Sequence, residues 1–371
     1  MKKTVSIFSF LFIFAMIIHP QTIIENPEKP LSKNFGRVVK LKEMMKISEA
    51  GDRFYFKYPR NLRVAPDGCI FIKDVEQFLQ FDPDGGFAQN LFKKGQGPGE
   101  MQAVGNYFFN GDKIIVHELM TDKIIWFDSK GKFIHEFKIN ANLSLFLLFW
   151  NDTYYFLSSD RPYVEKTSIV DLHQKIIAVA RNCQEIKEMT SFPTKGYIAV
   201  ARRGGRVFYD ISSITVVPFR QKFLFISHTQ EYSVKLYDVE EDRVIRSFKR
   251  KYRRVKTPPD MERQGGASID GKPVFPPRQK YLNDIQNLIV FKDRLWVITS
   301  TQDKEKRTLI DVYNFDGKYI DNFYLKFPEN LVKRYHGDTA MDISGDSLYT
   351  LEGSESGIYS IRKYKIEDND R

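Results

Sequence analysis

The chain has 371 residues, of which 42% are hydrophobic and 14% aromatic, and this composition excludes an intrinsically disordered protein. Only two cysteines are present, which excludes a scaffold built on disulfides. The formal net charge of +10 would suit a nucleic-acid partner, so whether nucleic acid is a partner depends on the compartment in which the protein resides.

The N-terminus has the pattern of a targeting segment. Lys2 and Lys3 precede an uncharged apolar run, Val5–Ile18, which is shorter than the roughly 20 residues that a transmembrane helix needs. We therefore predict a signal peptide over residues 1–21, with a periplasmic or extracellular protein after export. No small-residue motif precedes Gln21, so an uncleaved membrane anchor is the alternative.

Export changes the interpretation of the charge. Loss of Lys2 and Lys3 with the signal leaves a net charge of +8, because no acidic residue is lost with them. Export disfavours a nucleic-acid partner, so we expect an anionic glycan or a protein partner of the cell envelope instead. We expect no stable transmembrane span once the signal has been removed, and the sequence does not specify the oligomeric state.

Residues 22–36 carry no clear periodicity, and we predict a flexible segment there. A unit of four short strands then recurs along residues 37–366, with polar turns between apolar runs. The first copy shows it best, with the turns Pro66-Asp67-Gly68 and Pro83-Asp84-Gly85-Gly86, whose residue types suit hairpins. No segment after the signal shows a helical period of useful length, so the alternation indicates strands throughout.

Six such units predict an all-β fold, a six-bladed β-propeller of four-stranded antiparallel blades. The sixth unit has only three strands before residues 367–371, which we assign as a C-terminal tail. The unassigned strand Arg37–Lys42 is expected to complete the sixth blade, which closes the ring and removes an open sheet edge. The alternative is a separate N-terminal strand.

The two cysteines are Cys69 and Cys183. Cys69 follows a turn and enters an apolar run, which favours a buried thiol. Export would permit a bridge between the two residues, and the sequence leaves that alternative open.

One stretch between the first and second units carries a resemblance. Phe81-Asp82, Gly86-Phe87 and the run Gly95-Gln96-Gly97-Pro98-Gly99-Glu100 resemble the six-bladed propeller proteins of bacterial envelopes, which are related to NHL-repeat propellers. The resemblance extends through the repeat over residues 37–366, with the poorest fit in the third unit. It implies the fold and export more than any activity.

The same glycine-rich run predicts a tight structural turn, because its glycines allow unusual backbone angles and proline fixes its own. A carboxylate at the end of such a turn can accept hydrogen bonds from free amides and lock it; the alternative is that Glu100 contacts a ligand. The residues of this predicted turn are Gly95, Gly97, Pro98, Gly99 and Glu100.

Loop length divides the predicted propeller into two faces. Minimal hairpins such as Asn110-Gly111-Asp112 lie on one face, which we call the short-turn face. The connections between units, and those between second and third strands, lie on the other, which we call the long-loop face. The longest segments, 181–213, 249–284 and 328–337, all fall there, and long loops on a rigid scaffold are where binding sites occur.

Basic residues concentrate on the long-loop face, whereas the acidic residues of the short turns are explained by turn chemistry. We predict an anion-binding site there, with solvated loop charges as the alternative. The proline-rich part of segment 249–284 is either a mobile lid or an inert insertion. The predicted binding residues are Arg202, Arg203, Arg206, Arg253, Arg254, Arg278, Lys304, Arg307, Lys333 and Arg334.

Recognisable catalytic motifs are absent from the sequence, and we expect no metal site and no cofactor. We therefore favour a binding or scaffold module over an enzyme. The alternative is a lyase-type or lactonase-type propeller acting at the channel mouth, with His117 and His228 as acid–base candidates at the ends of second strands. Lactonase-like polar candidates around the channel are Asn61, Glu118, Asp284 and Asp338.

Overall fold

A computed structural model of the chain describes residues 22–49, 53–139, 141, 143–182, 185–201, 204–261, 267–269, 271–332, 339–354 and 356–368. Every regular element in these residues is a β-strand, so the all-β prediction is confirmed. No helix that could cross a bilayer occurs in the part of the chain that the structure describes. The predicted signal peptide lies outside the described residues.

The strands follow one another with short turns, as the alternation of apolar and polar residues requires. In chain order they are β1 (Thr22–Asn26), β2 (Arg37–Ile47), β3 (Arg60–Val64), β4 (Ile70–Asp74), β5 (Gln77–Phe81), β6 (Phe87–Asn90), β7 (Val104–Asn110), β8 (Lys113–Glu118), β9 (Lys123–Asp128), β10 (Phe133–Lys138), β11 (Leu145–Trp150), β12 (Thr153–Ser159), β13 (Ser168–Ala180), β14 (Ile186–Val200), β15 (Arg206–Ser212), β16 (Ile214–Phe219), β17 (Phe223–His228), β18 (Ser233–Asp238), β19 (Arg243–Arg250), β20 (Ala267–Ile269), β21 (Lys272–Val274), β22 (Ile285–Phe291), β23 (Arg294–Gln302), β24 (Thr308–Tyr313), β25 (Tyr319–Leu325), β26 (Met341–Ser344), β27 (Ser347–Gly353) and β28 (Tyr359–Glu367).

The strands form six blades around one axis. Blade 1 is β3–β6, blade 2 is β7–β10, blade 3 is β11–β15, and blade 4 is β16–β19. Blade 5 is β22–β25, and blade 6 contains β26–β28. The first strand of each blade lies innermost, and the innermost strands contact one another in the order β7, β11, β16, β22, β26 and β3.

Apolar side chains fill the spaces between neighbouring blades. Between blades 1 and 2, for example, Phe71, Phe78 and Tyr107 are buried, with ring centroids 4.7 to 6.4 Å apart. Tyr107 also donates its hydroxyl proton to the backbone carbonyl of Phe71, 2.9 Å away. Because both faces of such strands are covered by neighbouring blades, their sequences are nearly continuous apolar runs.

The predicted hairpin turns form as expected. In the first of them, Gly68 has a φ of 91°, a backbone angle that favours glycine, and its amide donates to the carbonyl of Ala65. The carboxylate of Asp67 accepts the amide of Cys69, which fixes the turn from its own side chain.

The N-terminal segment lies along the outer edges of three blades. The structure places a strand in the segment that we expected to be flexible, because β1 pairs in parallel with β19, the outer strand of blade 4. Leu31 and Ser32 then donate backbone hydrogen bonds to β25 of blade 5. The strand β2 pairs first in parallel with β25 over Arg37–Val39 and then antiparallel with β28 over Lys40–Ile47.

The C-terminal tail begins later than predicted. Glu367 still belongs to β28, where it pairs with Lys40 of β2. Asp368 accepts hydrogen bonds from the guanidinium of Arg37, at 2.7 and 2.8 Å. The last residue that the structure describes is therefore tied to the start of β2.

Blade 3 differs from the prediction. The repeat predicts two separate strands in the third unit, over residues 167–171 and 175–180, but Ser168–Ala180 forms one strand, β13, which pairs with β14 over Ser168–Val179. The predicted long loop over residues 181–213 is wrong, because most of it forms β14 and β15. The parts of β13–β15 beyond the end of β12 rise from the long-loop face, and we call them the arm.

Segment 251–284, between β19 and β22, crosses the long-loop face, and we call it the strap. Its two ends run antiparallel: Thr257 donates to the carbonyl of Lys280, and Leu282 donates to that of Val255. Between them the hairpin β20–β21 reaches the arm, where the hydroxyl of Tyr209 donates to the carbonyl of Val274 over 2.9 Å.

Candidate functional site

The two ends of the strap bring basic side chains together on the long-loop face. Lys256 forms a backbone bridge with Tyr281. Arg254 and Lys280 both lie over the ring of Tyr281, with their cationic groups 4.8 and 5.4 Å from the ring centroid. The attraction of both cations to one aromatic ring lowers the electrostatic free energy that is needed to hold two like charges close together.

Arg254 is neutralised within this group. Its Nε donates to the carboxylate of Asp284 over 2.9 Å, and the side chain of Asp284 is only 5% exposed. Burial raises the pKa of Asp284 above its usual value even though Arg254 opposes the shift. Arg254 therefore fixes the strap to the start of β22, and the carboxylate of Asp284 balances its charge.

Exposed cations surround that pair. Within residues 251–284 the sequence has eight Lys or Arg and four Asp or Glu. Arg253, Lys256 and Lys280 are exposed, and no carboxylate pairs with them among the described residues. We call these three residues the basic cluster.

A cleft of about 410 Å³ opens beneath the strap on blade 5, and we call it the blade-5 cleft. Hydroxyl and carboxamide groups dominate its polar lining. The side chain of Gln286 donates to the hydroxyl of Ser300 over 2.5 Å, and the side chain of Gln302 lies 3.5 Å from the hydroxyl of Thr308. Its lining residues are Pro258, Asp260, Met261, Leu282, Gln286, Ile298, Thr299, Ser300, Gln302 and Thr308.

A buried polar network anchors the strap where it begins. The side chain of Arg250 is 7% exposed and donates to the carboxylate of Asp311 at 2.6 and 2.9 Å. The same carboxylate accepts hydroxyl protons from Tyr232 and Tyr319. Tyr252 stacks on Tyr232 at 4.8 Å, so the first turn of the strap is fixed between blades 4 and 5.

Sequence reasoning missed both this network and the blade-5 cleft. A usable signal was the polar run Thr299-Ser300-Thr301-Gln302, which interrupts an otherwise apolar second strand where it reaches the long-loop face. The network left no such signal, because Arg250 and Asp311 are 61 residues apart.

The other predicted binding residues are distributed over the long-loop face. Arg206 stands at the start of β15 on the arm, 3.8 Å above the ring of Tyr163, and donates to the carbonyl of Val164. Arg278 donates to the carbonyl of Pro258 within the strap. Arg307 is paired with Asp303 and Glu305 at 2.6 and 3.0 Å.

The structure therefore brings only part of the predicted basic set together. Arg253 and Arg254 belong to the strap, and Lys304 is exposed in the turn between β23 and β24. Arg206 lies in another blade. Arg202, Arg203, Lys333 and Arg334 lie outside the described residues.

The glycine-rich turn is closed by its own carboxylate. Glu100 accepts the backbone amide of Gly97 over 2.8 Å, and a Cβ atom at Gly95 would lie 1.9 Å from the same carboxylate oxygen. Gly99 has a φ of 73° and donates its amide to Glu136. These contacts support the structural interpretation of the turn over a ligand contact by Glu100.

The two candidate histidines stand in different blades. His117 of blade 2 is buried against Phe156, and neither ring nitrogen has a hydrogen-bond partner among the described residues. Burial lowers the pKa of His117 to about 4 although Glu118 opposes the shift. His228 of blade 4 accepts the amide of Gln230 on Nδ1, and burial lowers its pKa too.

The lactonase-like candidates are engaged in structural contacts. Asn61 donates to Asn106 and accepts from Thr339 at 3.2 and 3.3 Å. Burial alone would raise the pKa of Glu118, but hydrogen bonds from Thr121 and from the amides of Ala103 and Met120 lower it. Asp338 lies outside the described residues.

No group of three His, Cys, Asp or Glu side chains that could hold a metal ion occurs among the described residues. Cys69 is partly buried, and burial raises the pKa of its thiol. Cys183, the other cysteine of the possible bridge, lies outside the described residues.

Residues 33–216, about half of the chain, match the model of the DUF5128 family of 6-bladed β-propellers. A search of curated protein sequences finds no match. Among solved structures, a member of the DUF4221 family from Bacteroides vulgatus is similar with a TM-score of 0.54 and 14% identity, over 90% of this chain and 99% of that one.

A protein from Bacteroides fragilis that is predicted to be exported is similar with a TM-score of 0.51 and 13% identity, over 94% of this chain and 100% of that one. A gluconolactonase from Xanthomonas campestris is more distant, with a TM-score of 0.44 and 10% identity over 91% of this chain and 99% of that one. Identities this low compare folds and do not transfer activities.

Proposed function

Because this chain is a six-bladed β-propeller, as the resemblance predicted, we propose that it acts as an exported binding module for an acidic glycan. The observation that carries this proposal is the basic cluster of the strap beside the blade-5 cleft. The cluster supplies positive charge, and the cleft supplies hydroxyl and carboxamide groups that can exchange hydrogen bonds with sugar hydroxyls.

The chemistry of the cleft favours a sugar over a simple inorganic anion. Gln286, Ser300 and Gln302 are uncharged, and each can both donate and accept a hydrogen bond. The exposed positive charges stand on the strap, outside the polar lining of the cleft. A chain of sugars with carboxylate or sulfate substituents could occupy both regions at once, whereas a single small anion could not.

Export is the second part of this proposal. It rests on the charged and apolar segments at the N-terminus, and the similarity to a predicted exported protein from Bacteroides fragilis agrees with it. Acidic glycans are accessible to a protein in the periplasm or outside the cell. A protein partner on the same face is the alternative ligand.

The alternative of a lyase or lactonase finds less support. The carboxylate of Glu118, a candidate catalytic group, already accepts hydrogen bonds from three backbone amides. His117 and His228 lie in different blades, so neither has the other as an acid–base partner.

The binding proposal is tested with the mature protein on immobilised polygalacturonate and heparin, with neutral dextran as the reference ligand. Replacing Arg253, Lys256 and Lys280 together by alanine should weaken binding about tenfold or more, because each exposed cation contributes a fraction of the binding energy. Binding of the unaltered protein should also fall as salt is added.

The matched control removes three exposed lysines from the short-turn face, Lys130, Lys132 and Lys318. Both triple variants lose the same net charge, so a non-specific electrostatic effect would weaken them equally. Equal weakening of the two variants, or equal binding of neutral dextran, would contradict the proposal.

We also infer that β2 closes the ring. Its antiparallel pairing with β28 adds a fourth strand to blade 6, and its parallel pairing with β25 connects blade 6 to blade 5. An N-terminal strand beside the last blade joins the two ends of the chain and covers an open sheet edge.

A further inference from the structure

A second cavity lies on the short-turn face, between blades 5 and 6, away from the strap. Its volume is about 550 Å³. Blade 5 supplies most of the wall through β22–β25, the N-terminal segment supplies Ser32, Arg37 and Val39, and the end of blade 6 supplies Ile366 and Asp368. None of the residues assigned to the glycan proposal lines it.

Three aromatic rings line this cavity at steep angles to one another. The rings of Phe291 and Trp296 have centroids 4.6 Å apart with planes at 57°, and those of Trp296 and Phe323 are 5.0 Å apart at 74°. All three residues line the same cavity. Clusters of aromatic side chains around a cavity can bind organic ammonium ions.

Two of the three rings already contact cations of the chain. The guanidinium of Arg37 lies 5.7 Å from the centroid of Phe323, and the ammonium of Lys292 lies 5.1 Å from that of Phe291. Trp296, whose ring type binds cations best, has no such contact among the described residues. Among the three rings, Trp296 is thus the one that no cation of the described residues covers.

The charge of the lining also favours a cation. Arg37 is held between Asp321 and Asp368 at 2.9 and 2.7 Å, so two carboxylates share one guanidinium. The lining contains four carboxylates, of Asp293, Asp321, Asp346 and Asp368, and three cations, of Arg37, Lys292 and Arg294. The cavity is therefore locally acidic in a chain with a net charge of +10.

From these observations we propose that the cavity between blades 5 and 6 binds a small free organic ammonium ion, with its positive charge over Trp296. Asp293 and Asp346 stand in the turns on either side of the cavity and supply the compensating negative charge. The aliphatic side chains of Val39, Val312 and Ile320 contact the apolar substituents of the ligand.

The test is calorimetric titration of the mature protein with choline and tetramethylammonium. The uncharged carbon analogue dimethylbutanol serves as the reference, because it has nearly the shape of choline without the charge. Choline should bind at least about tenfold more tightly than dimethylbutanol, since the cation–π and carboxylate contacts require a positive charge. Equal binding of the two, or no binding of choline, overturns the proposal.

Two variants assign the site. Trp296→Leu should lower choline affinity about tenfold, and Asp346→Asn should lower it several-fold. Trp296 is buried and its replacement could unfold blade 5, whereas Asp346 is an exposed turn residue, so the second variant keeps the test valid. Unchanged choline affinity in the folded Asp346→Asn protein, or in folded Trp296→Leu, contradicts the assignment.

Discussion

At the scale of single residues, burial decides what a polar side chain does in this protein. His117 and Asp311 are both completely buried. The carboxylate of Asp311 is compensated by Arg250 and two tyrosine hydroxyls, whereas His117 has no partner among the described residues and avoids the cost of burial by staying neutral.

His117 should make the stability of the protein depend on pH. Its pKa is lowered to about 4 by burial, so the unfolded chain binds a proton more readily than the folded one. The stabilisation is complete above the ordinary histidine pKa of roughly 6.5 and is lost as the pH falls towards 4, by about 3 kcal/mol in all. Chemical denaturation at several pH values measures this dependence.

The control for that prediction is His117→Leu, which keeps an apolar side chain at the same position. The variant should lose the contribution of His117 to the pH dependence, while the half-buried His135 and His228, whose pKa values burial also lowers, still contribute theirs. A His117→Leu protein with the same pH dependence as the unaltered chain would show that folding does not change the pKa of His117.

Asp311→Asn should be strongly destabilising. It leaves the guanidinium of Arg250 buried without its counter-charge, which typically costs about 3–5 kcal/mol. Asp303→Asn is the matched control, because it removes one of the two carboxylates that pair with Arg307 in a partly exposed turn and should change the midpoint of unfolding little. Similar midpoints for the two variants would show that the buried network does not stabilise the fold.

At the scale of elements, the outer edges of the blades are where this chain departs from a simple repeat. The strand β1 covers β19 of blade 4, and β15 covers part of β14 in blade 3. Both additions protect backbone groups that would otherwise lie at an open edge.

Removing β1 should expose one edge without unfolding the blade. In a protein that begins at residue 30, the backbone amides of β19 that point away from β18 should exchange with solvent faster, because their partner strand is gone. Hydrogen exchange followed by mass spectrometry measures this, with β10 of blade 2 as the unaffected reference. Unchanged exchange in β19 would mean that β1 does not protect it in solution.

At the scale of the whole molecule, stability depends on how the two ends of the chain meet. Chains that begin at residue 37 and at residue 48 differ only by β2. The first should unfold cooperatively within several degrees of a chain that begins at residue 22, whereas the second should lose its cooperative transition, because blade 6 then keeps an open edge. Cooperative melting of the shorter chain at the same temperature would contradict the closing role of β2.

The class of fold and most of its strands could be predicted from the sequence, because these features depend on local interactions. The turn Pro66-Asp67-Gly68 is an example, since its residue types specify the backbone angles that they adopt. Blade 3 was harder: the mostly polar stretch Asp171–Lys175 resembles a break, yet β14 pairs with it and makes it part of one strand.

The candidate site could be predicted only in outline. The excess of cations on the long-loop face is a property of the sequence, and so is the position of the strap between two blades. Whether a cation is free to bind a ligand depends on partners far away in the sequence. Arg254, for example, pairs with Asp284, which lies 30 residues further along the chain. Sequence spacing does not encode such partners.

The sequence by itself thus determined the repeat, the turns and the uneven distribution of charge, since each follows from residues close together in the chain. Only the tertiary structure decided which side chains are neutralised, which strands cover the blade edges, and where cavities form between blades. Those properties arise from contacts between segments far apart in the chain, and burial then sets the energy of each charge.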